Sequence, residues 1–89
     1  MTPGARLVRD ALDSPLLEPC WPYEDLLDWD LVELIEDRLS GGEQAVIEVA
    51  RSIDGQGTCN LFWALAQMDG RCRDLVVRAI NTVAGAMLR

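Results

Sequence analysis

Acidic residues are concentrated between positions 24 and 37. Their carboxylates are the reactive groups in this sequence that are spaced closely enough to act together. Pairs such as Asp25 with Asp28, or Glu33 with Asp37, could in principle hold a divalent cation or act as a general acid and base. On one exposed helix, however, these carboxylates would be fully hydrated, and no second element would supply further ligands. We therefore predict no catalytic residue, no metal site and no cofactor.

The residue inventory excludes the common catalytic templates. The sequence has no histidine and no lysine, which removes the Ser-His-Asp and Cys-His arrangements, Schiff-base chemistry and the lysine of the Walker A loop. The three cysteines, Cys20, Cys59 and Cys72, contain no CxxC pair and cannot complete a tetrahedral zinc site by themselves. Their odd number favours a reducing compartment. The sequence therefore predicts a cytoplasmic protein that is not an enzyme.

Length and composition predict one folded domain over residues 1–89. Hydrophobic residues make up 49% of the chain, enough to supply a core, and 15 acidic residues against 8 basic ones give a net charge of -7. Near the amino terminus, Arg6, Arg9 and Asp10 interrupt the apolar stretch that a signal peptide needs. The longest uncharged stretch, 55–68, is shorter than the roughly 20 apolar residues of a membrane span. We therefore expect no membrane contact.

The spacing of apolar residues predicts an all-α fold, a compact bundle of four to five short helices. A first helix is expected after Thr2, with Pro3 at its first position, and Ser14 and Pro15 end it. Three prolines predict an extended connector over 15–22. A helix from about 23 to 39 follows, because one stripe at helical spacing contains Leu27, Leu31, Leu34, Ile35 and Leu39.

Three further helices are predicted after position 40. Ser40 and Glu43 match a capping box, so a helix should begin near Gly41 and end at the 54–57 run. A helix over about 58–68 is apolar almost all round and is expected to lie centrally or at an interface. The last helix, about 71–88, is expected to bury Val76, Ile80, Val83, Ala84 and Met87. No alternation with period two is present, so no sheet is expected.

The segment 24–37 carries the whole net charge of the chain. Seven of the fifteen acids lie there with no base among them, and the remaining eight equal the eight arginines. On a helical wheel five of these acids lie opposite the leucine stripe, with Trp29 among them; the five are Asp25, Asp30, Glu33, Glu36 and Asp37. Like charges at this spacing repel by a few tenths of a kcal/mol per pair, so this face destabilises the helix.

Two interpretations of this acidic face are open. It could be a face that increases solubility and whose acids, near the amino terminus of the helix, interact favourably with the helix macrodipole. Trp29 would then be packed under the proline-rich connector. Alternatively, it is a docking surface for a protein partner with a basic or mixed surface, anchored by its aromatic residues. The second interpretation predicts the partner-binding residues Trp29, Tyr23, Asp25, Asp30, Glu33, Glu36 and Asp37.

Other binding modes are also open. Arg71, Arg78 and Arg89 fall on one side of the last helix, which is either a solvated face or meets the acidic helix of a second copy in a homodimer. A self-assembling structural subunit and a DNA-mimic inhibitor are alternative functions. Direct binding of nucleic acid is not expected, because a pI near 4.3 opposes contacts with phosphates.

The run from Leu39 to Gln44, with Ala50 to Ile53 after it, resembles short uncharacterised helical proteins of actinobacteria and their phages. The resemblance covers about the middle third of the chain. It implies a small accessory protein, encoded by a phage and acting on a host factor by stoichiometric binding. It implies no particular catalytic or binding residue.

Overall fold

The structure, a computed structural model, describes residues 1–87, and the predicted all-α fold is confirmed. An isolated bridge between Tyr23 and Leu26 is present, and residues 1–87 form no strand. The α-helices are α1 (Pro3–Ala11), α2 (Trp29–Ile35), α3 (Gly41–Ile53), α4 (Leu61–Gln67) and α5 (Gly70–Met87). Two 3-10 helices span Pro15–Cys20 and Glu36–Arg38. The predicted helix end at Leu88 and the predicted basic residue Arg89 lie outside the described residues.

Helix α3 lies at the centre of the fold. It begins as predicted, because Ser40 Oγ accepts a hydrogen bond from the Glu43 backbone N–H and Glu43 Oε1 accepts one from the Ser40 backbone N–H. Helices α1, α4 and α5 all pack against α3, and α5 also packs against α1. The buried residues of α3 are Ala45, Val46, Ile47, Val49 and Ala50.

Both ends of α1 are held by side chains. At the start, Thr2 Oγ1 accepts a hydrogen bond from the Ala5 backbone N–H, and Pro3 occupies the first turn as predicted. At the end, the Arg71 guanidinium donates to the carbonyl oxygens of Asp10 and Ala11 at 2.8 and 3.1 Å. Arg71 therefore satisfies the last carbonyls of α1 and does not form part of a free basic stripe.

The segment 15–22 is not an extended connector, which corrects that prediction. Ser14 Oγ accepts from the Leu16 backbone N–H, and a 3-10 helix runs over Pro15–Cys20 with Pro15 in its first turn. Because few residues of a short 3-10 helix donate a backbone hydrogen bond, prolines at positions 15 and 19 are tolerated. This helix buries Leu17 and Cys20 in the core.

The predicted helix over 23–39 was wrong in its extent and in part of its buried face, since Leu27 and Leu39 are buried as predicted but Leu31 and Leu34 are not. Residues 23–28 form turns, and α2 begins only at Trp29, because Asp28 Oδ1 accepts hydrogen bonds from the backbone N–H groups of Asp30 and Leu31. The buried face of α2 is centred on Val32, and Leu31 and Leu34 are exposed. The prediction treated residues 23–39 as one continuous helix. The cap at Asp28 instead starts a shorter helix, which turns a different face toward the core than the leucine spacing predicts.

Predictions for the last two helices also need correction. Helix α4 is not central, because Ala64 faces the core but Phe62 is 87% exposed and Trp63 is 44% exposed. The other expectation for α4, a position at an interface, stays a prediction. In α5 only Val76 is fully buried, because this helix packs along one side against α1 and α3. The other residues predicted to be buried there, Ile80, Val83, Ala84 and Met87, are half-buried or exposed.

Candidate protein-binding surface

Helix α2 presents acidic and leucine side chains together to solvent. Because Val32 and the side chains beside it turn inward, four positions of α2 form an arc of about 160° on the opposite face. Leu34 is 74% exposed there, in spite of being one of the residues expected in the core. The acidic-leucine surface is the name we give to these four residues together with Asp37, which lies in the 3-10 helix directly after α2; its members are Asp30, Leu31, Glu33, Leu34 and Asp37.

The acidic side chains of this surface form no ion pair within the part of the chain that the structure describes. Asp30, Glu33 and Asp37 are exposed, and none of them forms an ion pair with residues 1–87. The base that follows them along the chain, Arg38, is exposed at the end of the second 3-10 helix. Exposed carboxylates beside exposed leucines form a surface that a partner with arginines or lysines and an apolar patch could match.

Trp29 is not the open anchor that the sequence suggested. Its indole is half-buried against the core, and the Arg51 guanidinium carbon lies 5.7 Å from the ring centroid. The same guanidinium forms an ion pair with Glu36 at 2.5 Å. Arg51, which comes from α3, therefore covers Trp29 and neutralises Glu36, two of the residues predicted to bind a partner.

Trp29 nevertheless borders two hollows at the surface. One, of about 280 Å³, lies on the side of Arg51 and Glu33, and the other, of about 310 Å³, lies on the side of Pro22 and Leu26. Asp30 and Gln56 line both hollows. The partly covered Trp29 thus lines two surface openings, and Asp30 lines both of them.

Tyr23 and Asp25 lie in the turns before α2 and not on a helix. Tyr23 is 70% exposed and lines a different, open hollow of about 650 Å³ beside Trp21. There, Arg9 stacks on the Trp21 ring at 5.6 Å and donates to the Glu24 carbonyl oxygen at 2.7 Å. The structure therefore places Tyr23 with Trp21, and does not bring it into either hollow beside Trp29.

Sequence reasoning missed three residues of this region. Leu31 and Leu34 were assigned to the core because their spacing is helical, and Arg51 was not expected to contact Trp29 or Glu36. The signal that could have corrected the leucines is Asp28, since aspartate is a strong helix cap and can mark the true start of α2. No local pattern in the sequence indicates that Arg51 reaches Trp29 and Glu36.

Two of the three cysteine thiols, those of Cys20 and Cys72, have a raised pKa. Burial raises the pKa of the Cys20 thiol, and the neighbouring Asp28 charge raises it further. Burial, with a contribution from the hydrogen bond to Asp69, raises the pKa of the Cys72 thiol. Because the thiolate is the nucleophile and the metal ligand, both groups are less reactive at neutral pH than an ordinary cysteine.

Over residues 1–87, no group of three or more cysteine, aspartate and glutamate side chains is arranged to hold a metal ion. Within the same range, none of the helices combines the length and the apolar character needed to cross a membrane. Comparison with known proteins gives no match to a family model, to a curated protein or to a solved structure.

Proposed function

We propose that this chain is a small protein-binding module that engages its partner stoichiometrically through the acidic-leucine surface. The observation that supports the proposal is the exposure of Leu34 and Leu31 on the same face of α2 as Asp30 and Glu33, whose carboxylates form no ion pair with residues 1–87. Leucine side chains contribute apolar area to a contact, and the carboxylates select a basic partner and accelerate the encounter. The proposal assigns no catalytic step to the chain.

The partner that fits this surface has an apolar hollow flanked by arginines or lysines. Relative to the prediction from sequence, the anchor moves from Trp29 to Leu34 and Leu31, while Asp30, Glu33 and Asp37 keep their proposed role. Trp29 contributes to partner binding through the hollows on its two sides. Glu36 has no such role, because its carboxylate forms an ion pair with Arg51. Following the resemblance described above, we propose that the partner is a host protein and that binding occurs in the cytoplasm.

The DNA-mimic alternative has less support. Helix α2 has seven residues, which corresponds to a length of about 10 Å. Imitation of a phosphate row needs charge spread over a longer surface. Self-assembly is compatible with the acidic-leucine surface.

Affinity capture with matched variants tests the proposal. The wild-type chain, the variant Leu34→Ser with Glu33→Arg, and a control variant Val77→Ser with Asp74→Arg are immobilised and exposed to host lysate. The control makes the same two changes at exposed positions of α5. We expect the wild type and the control to recover a protein that the surface variant does not recover. Once purified, that protein should bind the wild type with one-to-one stoichiometry and the surface variant at least tenfold more weakly. Equal recovery by all three baits would contradict the proposal.

A further inference from the structure

A groove of about 320 Å³ runs between α1 and α5, on elements that do not contribute to the acidic-leucine surface. Its apolar lining includes Leu7 from α1 and Leu75 and Ala79 from α5. Leu7 is buried, and Leu75 and Ala79 are half-buried, so the groove reaches down to the edge of the core. An apolar groove of this kind can accept protruding side chains such as leucine.

Two exposed arginines flank this groove. Arg6 and Arg78 line it from opposite helices, together with one acid, Asp10. The guanidinium groups of Arg6 and Arg78 form no ion pair or hydrogen bond with residues 1–87. Other arginines are engaged within the fold, as Arg51 is with Glu36 and Arg71 is with the end of α1. Within residues 1–87, the groove is therefore a place where basic groups are available beside apolar area.

We propose that the acidic-leucine surface of one copy of this chain docks into the α1–α5 groove of a second copy. The inference rests on the proposed function, because it uses the same surface and names the second copy as a partner. Leu31 and Leu34 would enter the apolar lining, and the carboxylates beside them would face Arg6 and Arg78.

Each copy can offer both surfaces at once. Helix α2 packs mainly against the first 3-10 helix, whereas α5 packs against α1 and α3. A contact between two different surfaces closes into a dimer when it is made reciprocally, and it continues into a longer assembly when it is not. Either assembly hides the acidic-leucine surface, so self-association would compete with any other partner for the same leucines.

The mass of the full chain in solution, measured by light scattering over a range of concentrations, tests the inference. The surface variant is Leu34→Asp, and the groove variant is Arg6→Gln with Arg78→Gln. A control variant, Val77→Asp with Asn81→Asp, changes the net charge as much as the groove variant but at exposed positions of α5 outside the groove. We expect the wild type and the control to self-associate and the surface and groove variants each to remain monomeric.

Mixing the two variants distinguishes this contact from any other. The groove variant retains its acidic-leucine surface and the surface variant retains its groove, so their mixture should form a one-to-one complex that neither forms alone. A monomeric wild type, an assembly that neither variant disrupts, or a mixture that stays monomeric would each overturn the inference. The proposed function would then be tested separately by the lysate capture. In that experiment, recovery of the partner protein must depend on Leu34 and not on Arg6 and Arg78.

Discussion

The backbone N–H of Gly4 donates a hydrogen bond of 2.8 Å to Asp54 Oδ1, and this contact joins the start of α1 to the end of α3. The other carboxylate oxygen, Asp54 Oδ2, accepts from Thr2 Oγ1 at 2.5 Å. The Asp54 carboxylate, directly after α3, thus accepts a hydrogen bond from a backbone N–H at the amino terminus of α1 that has no partner within the helix. Its negative charge also interacts favourably with the macrodipole of α1. The approach is close enough that a Cβ on residue 4 would lie 2.6 Å from Asp54 Cγ and would clash with the Ala50 carbonyl oxygen.

We therefore expect Gly4→Ala to lower the free energy of unfolding by about 1 to 3 kcal/mol, the usual cost of overpacking a tight contact. Urea denaturation measures the change. Gly85→Ala is the matched control, because Gly85 lies inside α5 with open space around it, and alanine there should raise stability by up to about 1 kcal/mol. Equal stability of Gly4→Ala and the wild type would mean that α1 and α3 are not in contact at this point.

The orientation of α2 gives a second prediction. Val32 is fully buried and Leu34 is 74% exposed, although the leucine spacing in the sequence suggests the reverse. Val32→Ala should cost about 1 to 3 kcal/mol of unfolding free energy through lost burial and a cavity, whereas Leu34→Ala should change it by less than about 0.5 kcal/mol. Paired urea denaturation curves measure both. A larger loss of unfolding free energy for Leu34→Ala than for Val32→Ala would show that α2 has the orientation inferred from sequence. Leu34 would then be buried, and the acidic-leucine surface would not exist.

Local signals in the sequence were sufficient where a helix end is fixed by neighbouring residues. Ser40 and Glu43 predicted the start of α3, and Thr2 with Pro3 predicted the start of α1, because each cap involves residues within three positions of one another. The apolar residues of α3 also follow the buried face of the helix, since this helix is surrounded by others. The all-α fold follows from these caps and from the helical spacing.

The candidate site was less predictable because it depends on contacts between distant residues. Arg51 covers Trp29 and pairs with Glu36 from 15 positions away, and no periodicity indicates such a contact. The orientation of α2 depends on the hydrogen bond from the Asp28 backbone N–H to the Cys20 carbonyl oxygen, which anchors the turn to the first 3-10 helix. The acids themselves were predictable, since a charge without a partner has to lie in water.

A pH dependence is expected at the start of α5. Asp69 Oδ1 accepts a hydrogen bond of 2.8 Å from the Cys72 backbone N–H, and this bond, with Arg71 and Arg73 nearby, lowers the pKa of Asp69 below its ordinary value of 3.8. Because the folded state binds the proton less tightly than the unfolded state, the ionised carboxylate stabilises the fold fully above the unfolded pKa. This stabilisation is lost as the pH falls through the lower, folded pKa.

Asp69→Asn tests this pH dependence, because asparagine keeps the capping oxygen and removes the titrating charge. The stability difference between the wild type and Asp69→Asn should be constant near neutral pH and should shrink below about pH 4. Urea denaturation across the acidic range measures this difference, and the titration of the other carboxylates cancels in the comparison. A difference that stays constant down to strongly acidic pH would show that the Asp69 pKa is not lowered by folding.

The cover over Trp29 gives the last prediction, which concerns whether this indole can act as an anchor. In a background carrying Trp21→Phe and Trp63→Phe, the fluorescence of Trp29 alone is observed. Arg51→Ala should shift its emission to longer wavelength, increase quenching by acrylamide and lower the free energy of unfolding by about 1 kcal/mol, since it removes the stacked guanidinium and the ion pair with Glu36. Glu36→Gln removes the ion pair but leaves the stacked guanidinium, so quenching should rise less. If Arg51→Ala left the emission and quenching unchanged, Arg51 would not cover the indole, and Trp29 would again qualify as the centre of the binding surface.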